Sequence, residues 1–246
     1  MKLIFDEHFY NLDNWNFEKG FVRNHELQYY TDRNIELTES GLKIYGKKEL
    51  VKNESYDNVS SDWTKNREYA EYTSSSINTK NKFSFKYGIL EVKAKIPIQD
   101  GAWPAIWLMG ENEEWPYCDE VDVMEYYLCG NIPTILANFM WSNSGEINWS
   151  TKQVSFDYFK TIDNEWENKF HIWKFDWTEN YMKIYIDDEL INILNISSFK
   201  NNKFKKDYYI LLNLAIGRKN LKPKENDLPL VYEIEYVKVY SYEDDV

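Results

Sequence analysis

At 246 residues, with 43% hydrophobic and 28% charged residues, the chain can bury a sizeable core, as one large domain or two small ones. A formal net charge of -12 and a pI near 4.8 disfavour nucleic acid, anionic membrane surfaces and polyanionic substrates, so a neutral partner fits better. Two cysteines are too few for a disulfide framework or a thiolate metal cluster, and no run of about 18 apolar residues is present to cross a membrane as a helix.

In chain order, MKLIFDEHF carries one Lys and only a short apolar run, which is not a signal peptide; the expectation is a soluble chain, cytoplasmic or exported after loss of a leader. Residues 52–68 are polar and read as a surface loop. In YGILEVKAKIPI, Leu90, Val92, Ala94 and Ile96 alternate with Glu91, Lys93 and Lys95, the pattern of a half-solvated strand. AWPAIWLM is nearly continuously apolar, as is YYILLNLAIG further on, and such runs fit strands buried on both faces or facing an aromatic-lined cleft. VSFDYFK, with Phe156 and Phe159 three apart, predicts one short helix. HIWKFDW alternates again, YMKIYIDDELINI reads as a hairpin turning near Asp187-Asp188, residues 197–207 read as a loop, and VYEIEYVKVYSY closes the chain with another alternating strand. With no Pro-, Gly- or Ser-rich linker, no repeat and scarce helical periodicity, the pattern predicts one domain over 1–246, an all-β antiparallel sandwich. Cys118 and Cys129, if joined by extended chain, stand about 30 Å or more apart and should be free thiols. His8, His25 and His171 show no metal spacing and read as structural or surface residues.

Within WPYCDEVDVMEYY, Glu120, Asp122 and Glu125 interrupt a run that otherwise reads as a buried strand. Regular alternation places Glu120 and Asp122 on one face and Glu125 on the other. A β-bulge at Val123-Met124 would return Glu125 to the face of the first two acids, and bulges concentrate beside active sites. Three carboxylates crowded on one face repel, so at least one should hold a proton at neutral pH, which is the condition for acid–base work. Retaining glycoside hydrolysis needs two carboxyl groups about 5–5.5 Å apart, and neighbouring same-face positions supply roughly that reach. Aromatics at 17% of the chain, including 10 Trp and 20 Tyr, fit a surface that stacks on sugars, or simply a β-rich core.

E-V-D-V-M-E resembles the E-x-D-x-x-E signature of glycoside hydrolase family 16 in its bulged, laminarinase-like form. RNHELQYYT, YTSSSINTKNKFSFKYGILEVKAKIP, GAWPAIWLMG, YYILLNLAIG and YEIEYVKVY extend the likeness along nearly the whole chain. The resemblance implies a concanavalin-like β-jelly-roll of two curved antiparallel sheets and a retaining endo-glycosidase with no catalytic cofactor, acting as a monomer on a neutral polysaccharide, laminarin-like β-1,3-glucan first. It gives Glu120 the part of nucleophile, Asp122 that of the acid tuning it, and Glu125 that of general acid/base. It places Trp103, Trp107 and Trp115 in the aromatic platform of the cleft, with ordinary core packing as the competing reading. Asn24 and Glu26 match a cleft segment on the non-reducing side, with a solvated loop as the competing reading. A structural calcium ion is implied at Glu7, Gly41 and Glu235, which also read as plain surface.

The departures from the family pattern bear on the substrate. Laminarinases usually carry T-V-H-G-T-L-H after the acids; here TILANFMW has no histidine, and Asn138 and Trp141 are the expected cleft residues. Asp119 stands where Gly is common. An endo-β-galactanase and a mixed-linkage β-glucanase are the alternative substrate readings, and only four Arg argue against sulfated galactans. Transglycosylation is open, and a non-catalytic glycan-binding jelly-roll would have no use for the acid triad.

Overall fold

The computed structural model describes residues 1–143, 145–199 and 203–242. It is the expected β-sandwich, with a ten-stranded sheet and an eight-stranded sheet, each hydrogen-bonded almost throughout as antiparallel pairs. One pairing departs from that rule: Gln28–Tyr30 runs parallel to Tyr69–Ser74. The alternating segments form the ten-stranded sheet. Gly88–Lys95 and His171–Trp177 lie side by side, each burying every second residue, because one face meets the core and the other meets water. The hairpin turns at Asp187-Asp188, between strands Tyr181–Ile186 and Glu189–Asn195.

The two continuously apolar runs pair with each other in the eight-stranded sheet, Ala102–Gly110 beside Tyr208–Ile216. From one edge inward that sheet runs Glu146–Ser155, Ile132–Asn143, Glu120–Cys129, Ala102–Gly110, Tyr208–Ile216. Its inner face meets the other sheet in one core, which includes residues from Phe5 to Val239. Its outer face carries two smaller apolar clusters, one with Trp103, Tyr127 and Leu136, the other with Trp107, Tyr209 and Leu211. This second apolar layer is why both runs read as hydrophobic throughout.

The helix forms at Phe156–Ile162, with Phe156 and Phe159 turned into the core. No regular element lies between Lys52 and Tyr69, as expected of that loop. Of the 197–207 loop, residues 200–202 lie outside the described residues. Cys118 and Cys129 are free. His171 is structural: its ring nitrogens meet Asp187 Oδ2 at 2.9 Å and the Trp166 carbonyl at 2.8 Å, and the ring stacks on Trp166.

Candidate active site

The acid strand Glu120–Cys129 contains the bulge. Against its neighbour, Asp122 pairs with Asn138 and Glu125 with Leu136, so two residues, Val123 and Met124, stand opposite the single Ala137. On the opposite side Trp107 pairs with Asp122 and Ile106 with Met124, which leaves Val123 as the extra residue. Val123 and Met124 both enter the main core, and each buried side chain of that size contributes roughly 1.5–3 kcal/mol. That burial offsets the lost ladder pairing and sets Glu125 on the outer face with Glu120 and Asp122. All three acids line one cleft of about 620 Å³.

Each acid has its own donors. Trp115 Nε1 donates to Glu120 Oε2 at 2.9 Å. Trp103 Nε1 donates to Glu125 Oε1 at 3.0 Å, and Asn138 Nδ2 bridges Asp122 Oδ2 at 2.9 Å and Glu125 Oε2 at 3.0 Å. Glu120 and Asp122 lie close enough to influence each other's titration, so a proton held by one can be shared with the other. Burial pushes all three carboxyls above their ordinary range; mutual repulsion adds to the rise at Asp122 and Glu120, and the Trp103 and Asn138 donors together with the Arg218 charge hold Glu125 back. Asp122, 3% exposed, is pushed well above the ordinary carboxylate range by burial and then by the charges of Glu125 and Glu120. The row therefore carries fewer than three charges at neutral pH. Burial lifts Glu120 to about 7 and raises Glu125 as well, so one face carries carboxyls that can both give and take a proton near neutral pH.

The walls come from several elements. Trp103 and Trp107 are 6% and 8% exposed and form the floor, whereas Trp115 is 50% exposed and stands at the rim. Trp107 Nε1 is fixed by Asn213 Oδ1 at 2.8 Å. Asn24 and Glu26 line the cleft beside the Tyr208–Ile216 strand, joined to it by the Leu27 N–H donating to the Ile216 carbonyl. Glu26 accepts from Gln28 Nε2 at 2.6 Å, and burial raises its carboxyl to about 7. The structure thus brings nine of the ten expected catalytic and sugar-binding residues into the cleft. The exception is Trp141. It packs on the core and against Phe199 and Phe204, because it lies three positions beyond Asn138 and an odd step along a regular strand reverses the face.

Other lining residues had weaker sequence signals. Trp149, Thr151 and Gln153 alternate along the Glu146–Ser155 edge strand, a period-two pattern in a segment too polar to stand out. Arg23 and Arg218 arrive from loops, so two of the four arginines lie in the cleft. The expectation drawn from low Arg content missed this concentration. Arg23 is ion-paired with Glu18 and lies 5.0 Å from the Trp107 ring. Arg218 lies 3.8 Å from the Tyr127 ring and 4.7 Å from that of Trp103, and its buried Nε has no hydrogen-bond partner among the described residues.

Asp119 lies outside the cleft. Fully buried, it accepts from Lys203 Nζ at 3.0 Å, the Phe204 N–H at 3.2 Å and Tyr208 Oη at 3.4 Å, tying residues 203–208 to the start of the acid strand.

The calcium expectation does not fit the side chains. Glu7 is buried and its carboxylate already accepts from the Phe9 N–H at 2.6 Å, Asn14 Nδ2 at 3.0 Å and Trp15 Nε1 at 3.2 Å. Glu235 pairs with Lys93 Nζ at 2.9 Å, which brings a positive charge where a cation would bind. Gly41 does lie against the Glu235 backbone, but there a Cβ would come within 2.2 Å of the Ile234 carbonyl, so close strand approach explains the glycine.

Comparison with known proteins agrees with this geometry. The family model described as Glycosyl hydrolases family 16 matches residues 25–220. A glucan endo-1,3-beta-glucosidase A1 of Niallia circulans is 30% identical over 98% of the chain, and the match spans 38% of that relative's length. A solved structure described with endo-acting O-glycanases of the human gut microbiota that initiate mucin breakdown superposes with a TM-score of 0.88 at 27% identity, covering 98% of this chain and 91% of that one. The laminarinase catalytic domain of Thermotoga maritima MSB8 superposes with a TM-score of 0.78 at 27% identity, covering 99% of each chain.

Proposed function

The chain belongs to glycosyl hydrolase family 16, and from that premise we propose that it is a retaining endo-hydrolase of a neutral β-glycan, with β-1,3-glucan as the leading substrate. The observation that carries this reading is the bulged acid row with its separate donors. Glu125 protonates the glycosidic oxygen while Glu120, oriented by Trp115 and by the Asp122 proton, attacks the anomeric carbon. Once Glu120 is esterified its charge is gone, and Glu125, now ionised, draws a proton from the water that releases the sugar. Asn138 Oδ1, buried and without a partner among the described residues, is available to a sugar hydroxyl. Trp115 offers a half-exposed ring for stacking. The acids lie mid-cleft, with lining residues on strands to both sides, which supports internal cleavage of a chain. In this reading residues 1–246 act as one catalytic domain and as a monomer.

A second substrate reading is an endo-β-galactosidase acting on O-glycan chains. Asn138 in place of a histidine-bearing strand and the 0.88 superposition on a structure described with O-glycanases favour it. Digestion of purified β-1,3-glucan, mixed-linkage β-glucan, β-galactan and mucin O-glycans, with product analysis, separates the readings. Proton NMR of the first products should show the β-anomer. Release of the α-anomer first, or loss-free turnover in Glu120→Gln, refutes the mechanism.

A further inference from the structure

The edge strand Glu146–Ser155 is laid out in register with the acids. Glu120 pairs with Met140 and Met140 with Trp149; Asp122 pairs with Asn138 and Asn138 with Thr151; Glu125 pairs with Leu136 and Leu136 with Gln153. Three cleft-facing side chains thus run parallel to the acid row, two strands away, about 10 Å at ~4.8 Å per strand. All three line the cleft. The reverse face of the strand is occupied: Val154 packs on the core and the Ser150 carbonyl accepts from Asn192 Nδ2 at 3.2 Å. The outward face is therefore fixed in orientation.

One exposed tryptophan on a surface is ordinary. Trp149 differs by position. It is 47% exposed, shares a cross-strand row with Glu120, and is followed on the same face by a hydroxyl and an amide. An indole face with neutral donors and acceptors beside it, and no charge among the three, matches the apolar face and hydroxyl rim of a neutral sugar. On the other side of the acids, Asn24 and Glu26 lie by the Tyr208–Ile216 strand, also two strands from the acid strand.

We propose that Trp149, Thr151 and Gln153 form a distal sugar subsite, which takes a neutral sugar unit of the same glycan chain beyond the cleavage point, on the side opposite Asn24 and Glu26. This rests on the cleft being a glycan hydrolase site. Trp149 stacks on the sugar face, and Thr151 and Gln153 hydrogen-bond its hydroxyls. Substrates long enough to reach the edge strand gain from it; shorter ones do not.

The test compares wild type, Trp149→Ala and Trp149→Phe on a ladder of β-1,3-linked gluco-oligosaccharides of increasing length. The ratio of kcat/KM for long over short substrates should fall about tenfold in Trp149→Ala and recover largely in Trp149→Phe, since a ring restores the stacking. Loss in equal proportion at every length, or no loss at any length, overturns the subsite. Calorimetric binding of the same ladder to Glu120→Gln, with and without Trp149→Ala, needs no turnover. A length-dependent binding loss on removing Trp149 upholds the subsite even if wild type cleaves nothing, in which case the hydrolase reading alone fails. Binding that ignores Trp149 overturns the subsite whatever the turnover.

Discussion

Trp103→Phe isolates one hydrogen bond to Glu125, the residue proposed above to change protonation twice per turnover. The indole N–H reaches Glu125 Oε1 at 3.0 Å. Phenylalanine keeps an aromatic ring against Tyr127, 5.8 Å away, and beneath Arg218. A hydrogen bond to a charged group contributes about 1.5–3 kcal/mol, and about 1.36 kcal/mol corresponds to one pKa unit. Glu125 is partly open to the cleft, so water recovers some of that, and the lower end, a rise of about one unit, is the expected shift. The sign follows from which form the N–H favours. It stabilises the ionised carboxylate, so its loss raises the pKa of Glu125 and extends its acid form to higher pH. The basic limb of kcat/KM on an oxygen-linked glycan should move alkaline by about one unit. Release of the glycosyl-enzyme, which needs ionised Glu125, should slow at acid pH. The assay is a pair of pH profiles measured on one purified glycan. A basic limb that stays in place, or moves to lower pH, refutes the assignment of Glu125 as the proton donor held by Trp103.

Glu26, 3% exposed, has its carboxyl raised from 4.5 to about 7 by burial, so its contribution to stability is full below about pH 4.5 and is lost as pH rises through about 7. At about 1.36 kcal/mol per unit the shift corresponds to about 3 kcal/mol, and urea unfolding of Glu26→Gln should show a pH dependence flatter by roughly that amount; an unchanged slope would mean the group is ionised at no cost. Asp119→Ala leaves the Lys203 ammonium and the Phe204 N–H without their acceptor and should lower stability by about 3 kcal/mol, read as a shift in denaturant midpoint; a midpoint equal to wild type would discount the tie. Excess chelator should leave the thermal transition in place, because the Glu7 and Glu235 carboxylates already have protein partners, and a fall in Tm would restore the cation site.

The local pattern was legible in the residues alone. Alternation in 88–95 and 171–177 specifies half-buried strands because side-chain direction follows a two-residue period wherever the chain is extended. The five-residue spacing of Glu120 and Glu125 pointed to a bulge for the same reason, since only an extra residue restores parity, and the register change at Val123 is that residue. Trp141 shows the rule misapplied: no bulge separates it from Asn138, so parity turns it inward. Tertiary structure decided which strands became neighbours. Trp149 joins the acid rows only through two successive cross-strand pairings, Arg218 meets Trp103 and Tyr127 across more than 90 positions of chain, and Asp119 finds Lys203 from 84 residues away. Such contacts follow from long-range burial and loop closure, which no short window of sequence contains. The same physics reassigned Glu7: an acid that reads as a surface ligand becomes, once Asn14 and Trp15 fold over it, the buried acceptor of three N–H groups.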